Sequence, residues 1–154
     1  MPALQQELSL ATRLQTGRPL VPLEVAAWLL GWGDYQLECA IDRGDLEWCF
    51  DIRREAATRR EIRVWRRSLQ ARARGEPSPS DWPAVAADIL PIGFVPTIRA
   101  ARVAEIFTCD PRHIGRLWSD GSLTGQPANG GGPDSSPIIQ RASVLDFLRA
   151  RRLT

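Results

Sequence analysis

Lysine is absent from this 154-residue chain, and histidine occurs once, at His113. All 20 basic residues are therefore arginine. Without lysine the chain lacks the residue that a Walker A phosphate loop, a Schiff base or a lysine general base requires. A single histidine also excludes a metal centre with several histidine ligands within one chain. These absences remove several common enzyme chemistries, and we expect a protein that is not an enzyme.

Cysteine is scarce as well: the three cysteines are Cys39, Cys49 and Cys109, and no two of them form a CxxC pair. A disulfide framework or a four-ligand zinc site is therefore not expected, and a reducing cytoplasm is the default compartment. Cys109 and His113 are four residues apart, but two ligands do not complete a zinc centre, which needs four. We expect neither a metal nor another cofactor.

Long apolar runs and targeting signals are also missing. No apolar run approaches the ~20 residues that cross a membrane. The first residues, MPALQQELSLATRLQ, do not show the basic region followed by an apolar region that marks a secretion signal. We therefore expect a cytoplasmic protein with no membrane partner. Its hydrophobic fraction of 44% is enough for a packed core in one domain or in two small ones.

Charge is uneven along the chain, although the net charge is only +2. Residues 24–51 contain seven carboxylates and one arginine, a net charge of −6. Residues 53–74 contain nine arginines and two glutamates, a net charge of +7. The arginine run could neutralise the acidic segment within one fold, or it could form a track for the phosphates of a nucleic acid. The sequence leaves both interpretations open.

Two segments share one pattern of apolar residues and turns. The first contains LEVAAWLLGWGDYQLECAIDRGDLEW, and the second contains ARVAEIFTCDPRHIGRLWSDGSLTG. Val25-Ala26 aligns with Val103-Ala104. After a one-residue shift in the turn, Gly44 aligns with Gly121, and the later apolar residues of the first segment align with apolar residues of the second. Further on, REIRVWRRSLQAR resembles SPIIQRASVLDFLR, a short apolar strand followed by a helix. The chain is therefore predicted to hold two copies of one unit.

Each copy is predicted to run as a helix, a tight turn, a second helix, a two-stranded wing and a last helix. Apolar residues spaced three and four apart predict the core face of the first helix; they are Val25, Trp28 and Leu29 in one copy and Val103, Ile106 and Phe107 in the other. Gly44 and Gly121 supply the left-handed residue that ends the second helix.

Local capping signals predict where two of the helices begin, whereas one predicted strand is ambiguous. Asp110-Pro111 is a good start for the second helix of the second copy, and Ser143 to Asp146 forms a capping-box pattern that would open the last helix. In the first copy Ile62, Trp65 and Leu69 also fit one long helix, and only the repeat favours a strand around 61–64.

The sequence divides into four parts. Residues 1–19 form an amphipathic helix, which packs on the first copy or makes a dimer contact. The first copy occupies residues 20–74, and the second occupies residues 92–154. Residues 75–91 form a linker with a short helix, because GEPSPSDWP is rich in proline and serine.

The pattern V-A-x-x-[LF], a helix ending in D-G-x-L or R-G-x-L, and then a strand, wing and helix resembles the excisionase and MerR-type winged helix-turn-helix family. The resemblance covers about residues 20–74 and 94–152. It implies a mainly α fold with small β wings, formed by tandem winged helix-turn-helix domains. It also implies binding to double-stranded DNA, as an excisionase-like architectural factor or a transcription regulator from a phage, a mobile element or a bacterium. The second helix would enter the major groove, and the wing would touch the minor groove or the backbone.

In the second copy the resemblance maps the groove helix to Pro111–Trp118, with Arg112, His113 and Arg116 facing outward. Arginine suits this position because its planar fork can pair with both acceptors of a guanine or grip a phosphate. The remaining expected DNA contacts lie in the wing and on the closing helices; they are Asn129, Arg141, Arg66 and Arg67.

In the first copy the corresponding helix, Tyr35–Arg43, carries carboxylates that would face the phosphates of DNA. This helix is therefore the predicted protein-interaction surface, and its residues are Tyr35, Gln36, Glu38 and Asp42, with Trp32 exposed in the preceding turn. The alternative function is an adaptor or anti-activator that keeps a degenerate helix-turn-helix for protein contacts. The sequence also leaves a homodimer open.

Overall fold

The chain forms two consecutive units with the same order of elements. The computed structural model describes residues 18–77, 81–91, 95–128 and 136–153. Residues 1–17 of the expected amphipathic helix and the wing residue Asn129 lie outside the described residues. Each unit follows the order strand, helix, helix, strand, strand, helix.

The first unit begins with a strand, which two helices, two strands and a last helix follow. Its elements are β1 (Leu20–Pro22), α1 (Leu23–Leu30), α2 (Asp34–Asp42), β2 (Cys49–Asp51), β3 (Ile62–Trp65) and α3 (Arg66–Arg74). The strand predicted around 61–64 is therefore confirmed, and the long-helix alternative is wrong. A helix α4 (Trp82–Ile89) follows, as predicted for the linker.

The second unit repeats this order. Its elements are β4 (Thr97–Arg99), α5 (Ala100–Phe107), α6 (Pro111–Ser119), β5 (Gly125–Pro127), β6 (Pro137–Gln140) and α7 (Arg141–Ala150). Each unit has a three-stranded antiparallel sheet in which the last strand lies in the middle, in the orders β1-β3-β2 and β4-β6-β5. The protein is thus a mixed α and β structure, rich in helix, with two small sheets.

The repeat has a different register from the predicted one. Helix α1 begins at Leu23 and α5 at Ala100, and α2 begins at Asp34 and α6 at Pro111, so both pairs are offset by 77 residues. The first helices therefore need no shift in the turn, and the predicted pairing of Val25 with Val103 is wrong by one residue.

The core face of α1 explains that error. Ala26 and Ala27 are buried, whereas Val25 is 41% exposed and Trp28 is 55% exposed. In α5 the equivalent pair, Val103 and Ala104, is buried, and so are the expected Ile106 and Phe107. The prediction assigned Val25 and Trp28 to the core from their helical spacing, but in α1 the two alanines are the buried residues.

The turns and helix starts follow local rules with one exception. Gly44 and Gly121 both have φ in the left-handed region, at 78° and 83°, as predicted for the end of the second helix. Asp110 caps α6, because its side chain accepts a hydrogen bond from the Arg112 backbone nitrogen. The capping box at Ser143 is wrong: α7 begins at Arg141 directly after β6, and the backbone nitrogen of Thr124 donates to Ser143 Oγ at 3.0 Å.

The two units share one hydrophobic core, and a second cluster of buried residues lies within the first unit. One buried cluster includes Trp48, Phe50 and Trp65 of the first unit together with most apolar residues of α5, α6 and α7. The linker helix α4 contributes Val85 and Ile89 to this cluster, and its Trp82 stacks on Trp48 with ring centroids 5.9 Å apart. Val144, Phe147 and Leu148 of α7 are buried as predicted. The units therefore pack against each other as one body rather than as independent domains joined by a linker.

No helix in the described part of the chain is long and apolar enough to cross a membrane.

Candidate nucleic-acid interface

Helix α6 has one buried face and one open face. Ile114 and Leu117 are fully buried, as the sequence predicts, and they fix the helix on the core of the second unit. Arg112 and Arg116 are exposed and lie one turn apart on the open face. Gly115 lies between them, and a Cβ built on it would meet nothing within 4 Å. The open face of α6 is therefore cationic and has no bulky side chain at its centre.

Arg112 is held by the residue that caps the helix. Its Nε donates to Asp110 Oδ1 at 3.2 Å, and its Nη2 donates to Asp110 Oδ2 at 2.9 Å. The hydrogen bonds from the Arg112 side chain and backbone lower the pKa of Asp110 to about 2. This pair uses one edge of the guanidinium, so the Nη1 edge remains directed away from Asp110 and can still donate to an acceptor.

The sequence predicts that His113 faces outward, but in the structure it faces the first unit. Its side chain is only 13% exposed, and its Nε2 lies 2.6 Å from the carbonyl oxygen of Ile52 in the first unit. Because a carbonyl oxygen can only accept, Nε2 carries the proton in this contact. Glu61 Oε2 lies 3.7 Å from the same nitrogen. The sequence missed this role because nothing in α6 itself shows that the first unit packs there.

The segment between β2 and β3, residues 52–61, lies along one side of α6. We refer to it as the 52–61 loop. Besides the Ile52 contact, Arg54 Nε lies 3.7 Å from Oδ2 of Asp120, the residue that follows α6. His113 and Asp120 are seven positions apart, which is about two helical turns, so both lie on the same side of the helix. The first unit thus borders the open face of the second unit's helix.

The other expected DNA contacts are placed elsewhere. Arg141 is half-buried, and its Nη2 donates to the carbonyl oxygens of Leu90 at 2.7 Å and Pro91 at 3.0 Å. The sequence predicts that Arg67 faces solvent. Its side chain is 56% exposed, and its Nε pairs with Asp88 Oδ1 on α4 at 2.9 Å. Arg66 is half-buried rather than outward-facing. Arg141 and Arg67 thus contact residues of the linker rather than lying beside α6.

The predicted protein-interaction residues on α2 differ in their exposure and in their contacts. Tyr35 is 81% exposed, and Gln36 and Asp42 are exposed as well. Arg60 donates to Asp42 Oδ1 from both terminal nitrogens at 3.3 Å, and Glu38 is half-buried. The two charge runs therefore do meet within the first unit at this point.

The expected exposure of Trp32 is only partly correct. Trp32 is half-buried, and the guanidinium of Arg72 lies 5.5 Å from the centre of its ring. The exposed tryptophan on this side is instead Trp28, with Val25 one turn before it on α1. The sequence missed Trp28 because a large apolar residue at helical spacing usually faces the core.

The remaining ionisable clusters offer little chemistry. Among the described residues, no three His, Cys, Asp or Glu side chains lie close enough to hold a metal ion. Burial raises the pKa of the Cys109 thiol to about 12, although the nearby Arg63 guanidinium opposes this shift. A protonated and half-buried thiol is a poor nucleophile and a poor metal ligand.

Comparison of the chain with protein-family models, with curated proteins and with solved structures found no match.

Proposed function

We propose that this protein binds double-stranded DNA through tandem winged helix-turn-helix units, with α6 as the groove helix. The observation that carries the proposal is the open face of α6, where Arg112 and Arg116 lie on a helix that the core holds rigidly through Ile114 and Leu117. An α-helix fits the major groove, and an arginine can donate two hydrogen bonds to a guanine there. The order strand, helix, helix, strand, strand, helix in each unit supports the same proposal.

The biological role that fits is an excisionase-like architectural factor or a transcription regulator of a phage, a mobile element or a bacterium. Both roles need a small protein that recognises a site and holds DNA in a defined geometry. The shared core supports this role, because two units fixed in one body impose one geometry on any DNA that both contact.

The direct test is DNA binding by the purified protein and by the double variant Arg112→Ala, Arg116→Ala. A site is first selected from a random-sequence duplex library, and affinity is then measured by fluorescence anisotropy at fixed salt. We expect the double variant to bind the selected duplex roughly 100-fold more weakly, since two arginine contacts to bases or phosphates are lost. The matched control Arg74→Ala, Arg149→Ala removes the same charge from two exposed positions on α3 and α7. Equal affinity of the two double variants would contradict the proposal.

A second candidate function is a protein-interaction module, and the exposed apolar residues of the first unit favour it. Trp28 is 55% exposed and Tyr35 is 81% exposed, and the neighbouring α2 carries Asp34, Glu38 and Asp42. Large exposed aromatic residues beside charged ones are typical of protein contact surfaces. The first unit would then serve as the adaptor surface of a protein whose second unit binds DNA.

Self-association is the form of this second function that can be tested without a known partner. Sedimentation equilibrium of the wild type and of Trp28→Ala, Tyr35→Ala gives the monomer–dimer constant. We expect the wild type to self-associate and the variant to do so at least tenfold more weakly, because two aromatic contacts are removed. Unchanged association in the variant would contradict a homodimer through this surface.

A further inference from the structure

The 52–61 loop is a basic segment in contact with α6 and its C-terminal end. It contains Arg53, Arg54, Arg59 and Arg60 with two glutamates, Glu55 and Glu61. The loop belongs to the first unit, whereas α6 belongs to the second. Its contacts with His113 and Asp120 hold it against the helix at two points that are about two turns apart.

The loop borders the open face of α6 rather than its buried face. Arg116 lies three residues after His113 and four residues before Asp120, so these three residues share one side of the helix. The loop therefore runs beside Arg116, next to the exposed stripe that contains Arg112. A helix that lies in a major groove about 12 Å wide has the phosphate backbones along its two flanks. If α6 occupies such a groove, the 52–61 loop lies on the flank of one backbone.

Two of the four loop arginines form ion pairs within the first unit. Arg53 Nε pairs with Asp51 Oδ2 at 3.1 Å, and Arg60 pairs with Asp42 at 3.3 Å. The other two, Arg54 and Arg59, form no ion pair within the described part of the first unit. Arg54 reaches the second unit, where its Nε lies 3.7 Å from Asp120 Oδ2, and 39% of its side chain is exposed. Arg59 is exposed.

We infer that the 52–61 loop of the first unit contacts the DNA backbone beside the groove that α6 occupies, with Arg54 and Arg59 on the phosphates. This inference rests on the proposed function. It makes the DNA-binding surface a composite of both units, with base contacts from the second and phosphate contacts from the first. Contacts to phosphates position a protein on DNA and do not read its sequence.

The salt dependence of binding tests this inference. The double variant Arg54→Gln, Arg59→Gln keeps the size of both side chains approximately and removes two charges. Each phosphate contact contributes about −0.9 to the slope of log affinity against log salt concentration, so we expect the slope to flatten by about 1.8. The affinity should fall by the same factor for the selected duplex and for a mixed-sequence duplex. The control Arg74→Gln, Arg149→Gln has the same charge change at exposed positions of α3 and α7.

A substitution of opposite sign gives an independent check. Glu55 is exposed in the same loop, so Glu55→Gln removes a charge that would repel the backbone. We expect this variant to bind both duplexes more tightly, while Glu76→Gln, at an exposed position after α3, changes affinity less. Circular dichroism melting of every variant confirms that the fold is retained.

The outcomes separate the inference from the proposed function. A slope that flattens no more for Arg54→Gln, Arg59→Gln than for the control would overturn the loop contact. If Arg112→Ala, Arg116→Ala still weakens binding in that case, the proposed function stands without the loop. Loss of sequence preference in the loop variant would also overturn the inference, because contacts to phosphates do not contribute to sequence preference.

Discussion

The guanidinium of Arg63, in the middle strand of the first sheet, donates from Nε to the carbonyl oxygen of Phe107 at 2.8 Å. Phe107 is the last residue of α5 in the second unit. Arg63 Nη2 also donates to the carbonyl oxygen of Thr108 at 3.1 Å. The first unit thus places a positive charge at the C-terminus of α5, where helix carbonyls lack partners and the helix dipole is negative. This contact lies at the turn between α5 and α6 and fixes the candidate groove helix.

Replacing Arg63 with Ala should destabilise the fold. The guanidinium is buried and makes hydrogen bonds to Ile62, Phe107 and Thr108 as well as an ion pair with Glu61. We expect the free energy of unfolding to fall by about 1.5–3 kcal/mol, since carbonyl oxygens are left without donors. Urea unfolding followed by tryptophan fluorescence gives this quantity. A loss no larger than that of the exposed control Arg74→Ala would contradict the account of how the units are joined.

The C-terminal residues add to the first sheet. The backbone nitrogen of Asp51 donates to the Arg151 carbonyl oxygen at 3.0 Å, and the Leu153 nitrogen donates to the Cys49 carbonyl oxygen at 2.8 Å. The guanidinium carbon of Arg152 lies 3.6 Å from the centre of the Trp48 ring. These residues extend β2 with chain from the second unit and close the connection between the units.

Truncation after Ala150 should therefore reduce stability. Two backbone hydrogen bonds and one cation–π contact are lost, which together contribute about 2–4 kcal/mol. Thermal melting of the truncated protein measures the loss, and Arg152→Ala alone isolates the contribution of the ring contact. We expect the single variant to lose less than half as much. Melting of the truncated chain at the wild-type temperature would show that these residues do not hold the units together.

The acidic helix α2 should not contribute to DNA binding. Glu38→Ala, Asp42→Ala removes two carboxylates and also releases Arg60 from Asp42. We expect equal or higher affinity for duplex DNA, because repulsion from phosphates is removed. The double variant Glu76→Ala, Asp81→Ala makes the same charge change at exposed positions outside both helix pairs. A clear loss of affinity specific to the α2 variant would mean that α2 contacts bases.

Cys109 should be an unreactive thiol in the folded protein. Burial raises its pKa from 9.0 to about 12, so the thiol remains protonated at pH 8. We expect iodoacetamide to label Cys109 far more slowly in native protein than in urea, as measured by peptide mass spectrometry. The unfolded thiol ionises first as pH rises, so the stability from burying the neutral thiol is complete below pH 9 and lost towards pH 12. In Cys109→Ala this part of the alkaline loss should disappear. Equal labelling rates in native and denatured protein would contradict a thiol whose ionisation is suppressed by the fold.

The sequence predicted the features that depend on neighbouring residues. Gly44 and Gly121 end their helices in the left-handed region, and Asp110 caps α6, because a turn or a cap is decided by a few adjacent backbone groups. The strand β3 was found only because the second copy has a clearer strand at the same place. Comparison between the copies therefore supplied information that the local pattern around Ile62 and Trp65 lacks.

The features that the sequence could not predict depend on how the units pack. Nothing adjacent to His113 indicates that the Ile52 carbonyl oxygen, 61 residues earlier, lies against its ring. The same holds for Arg141, whose partners Leu90 and Pro91 come from the end of the linker helix. Trp28 was assigned to the core because its spacing on α1 fits a buried face, yet the two alanines beside it make that contact. Long-range packing decides such positions, and periodicity within one helix does not report it.

Chemical-shift changes of backbone amides in the labelled protein, on addition of a selected DNA duplex, show which surface binds DNA. We expect changes concentrated at residues 111–119 of α6 and 53–60 of the 52–61 loop, with residues 34–42 of α2 almost unaffected. Changes confined to α1 and α2, or no changes with any duplex at low salt, would contradict DNA binding through the open face of α6.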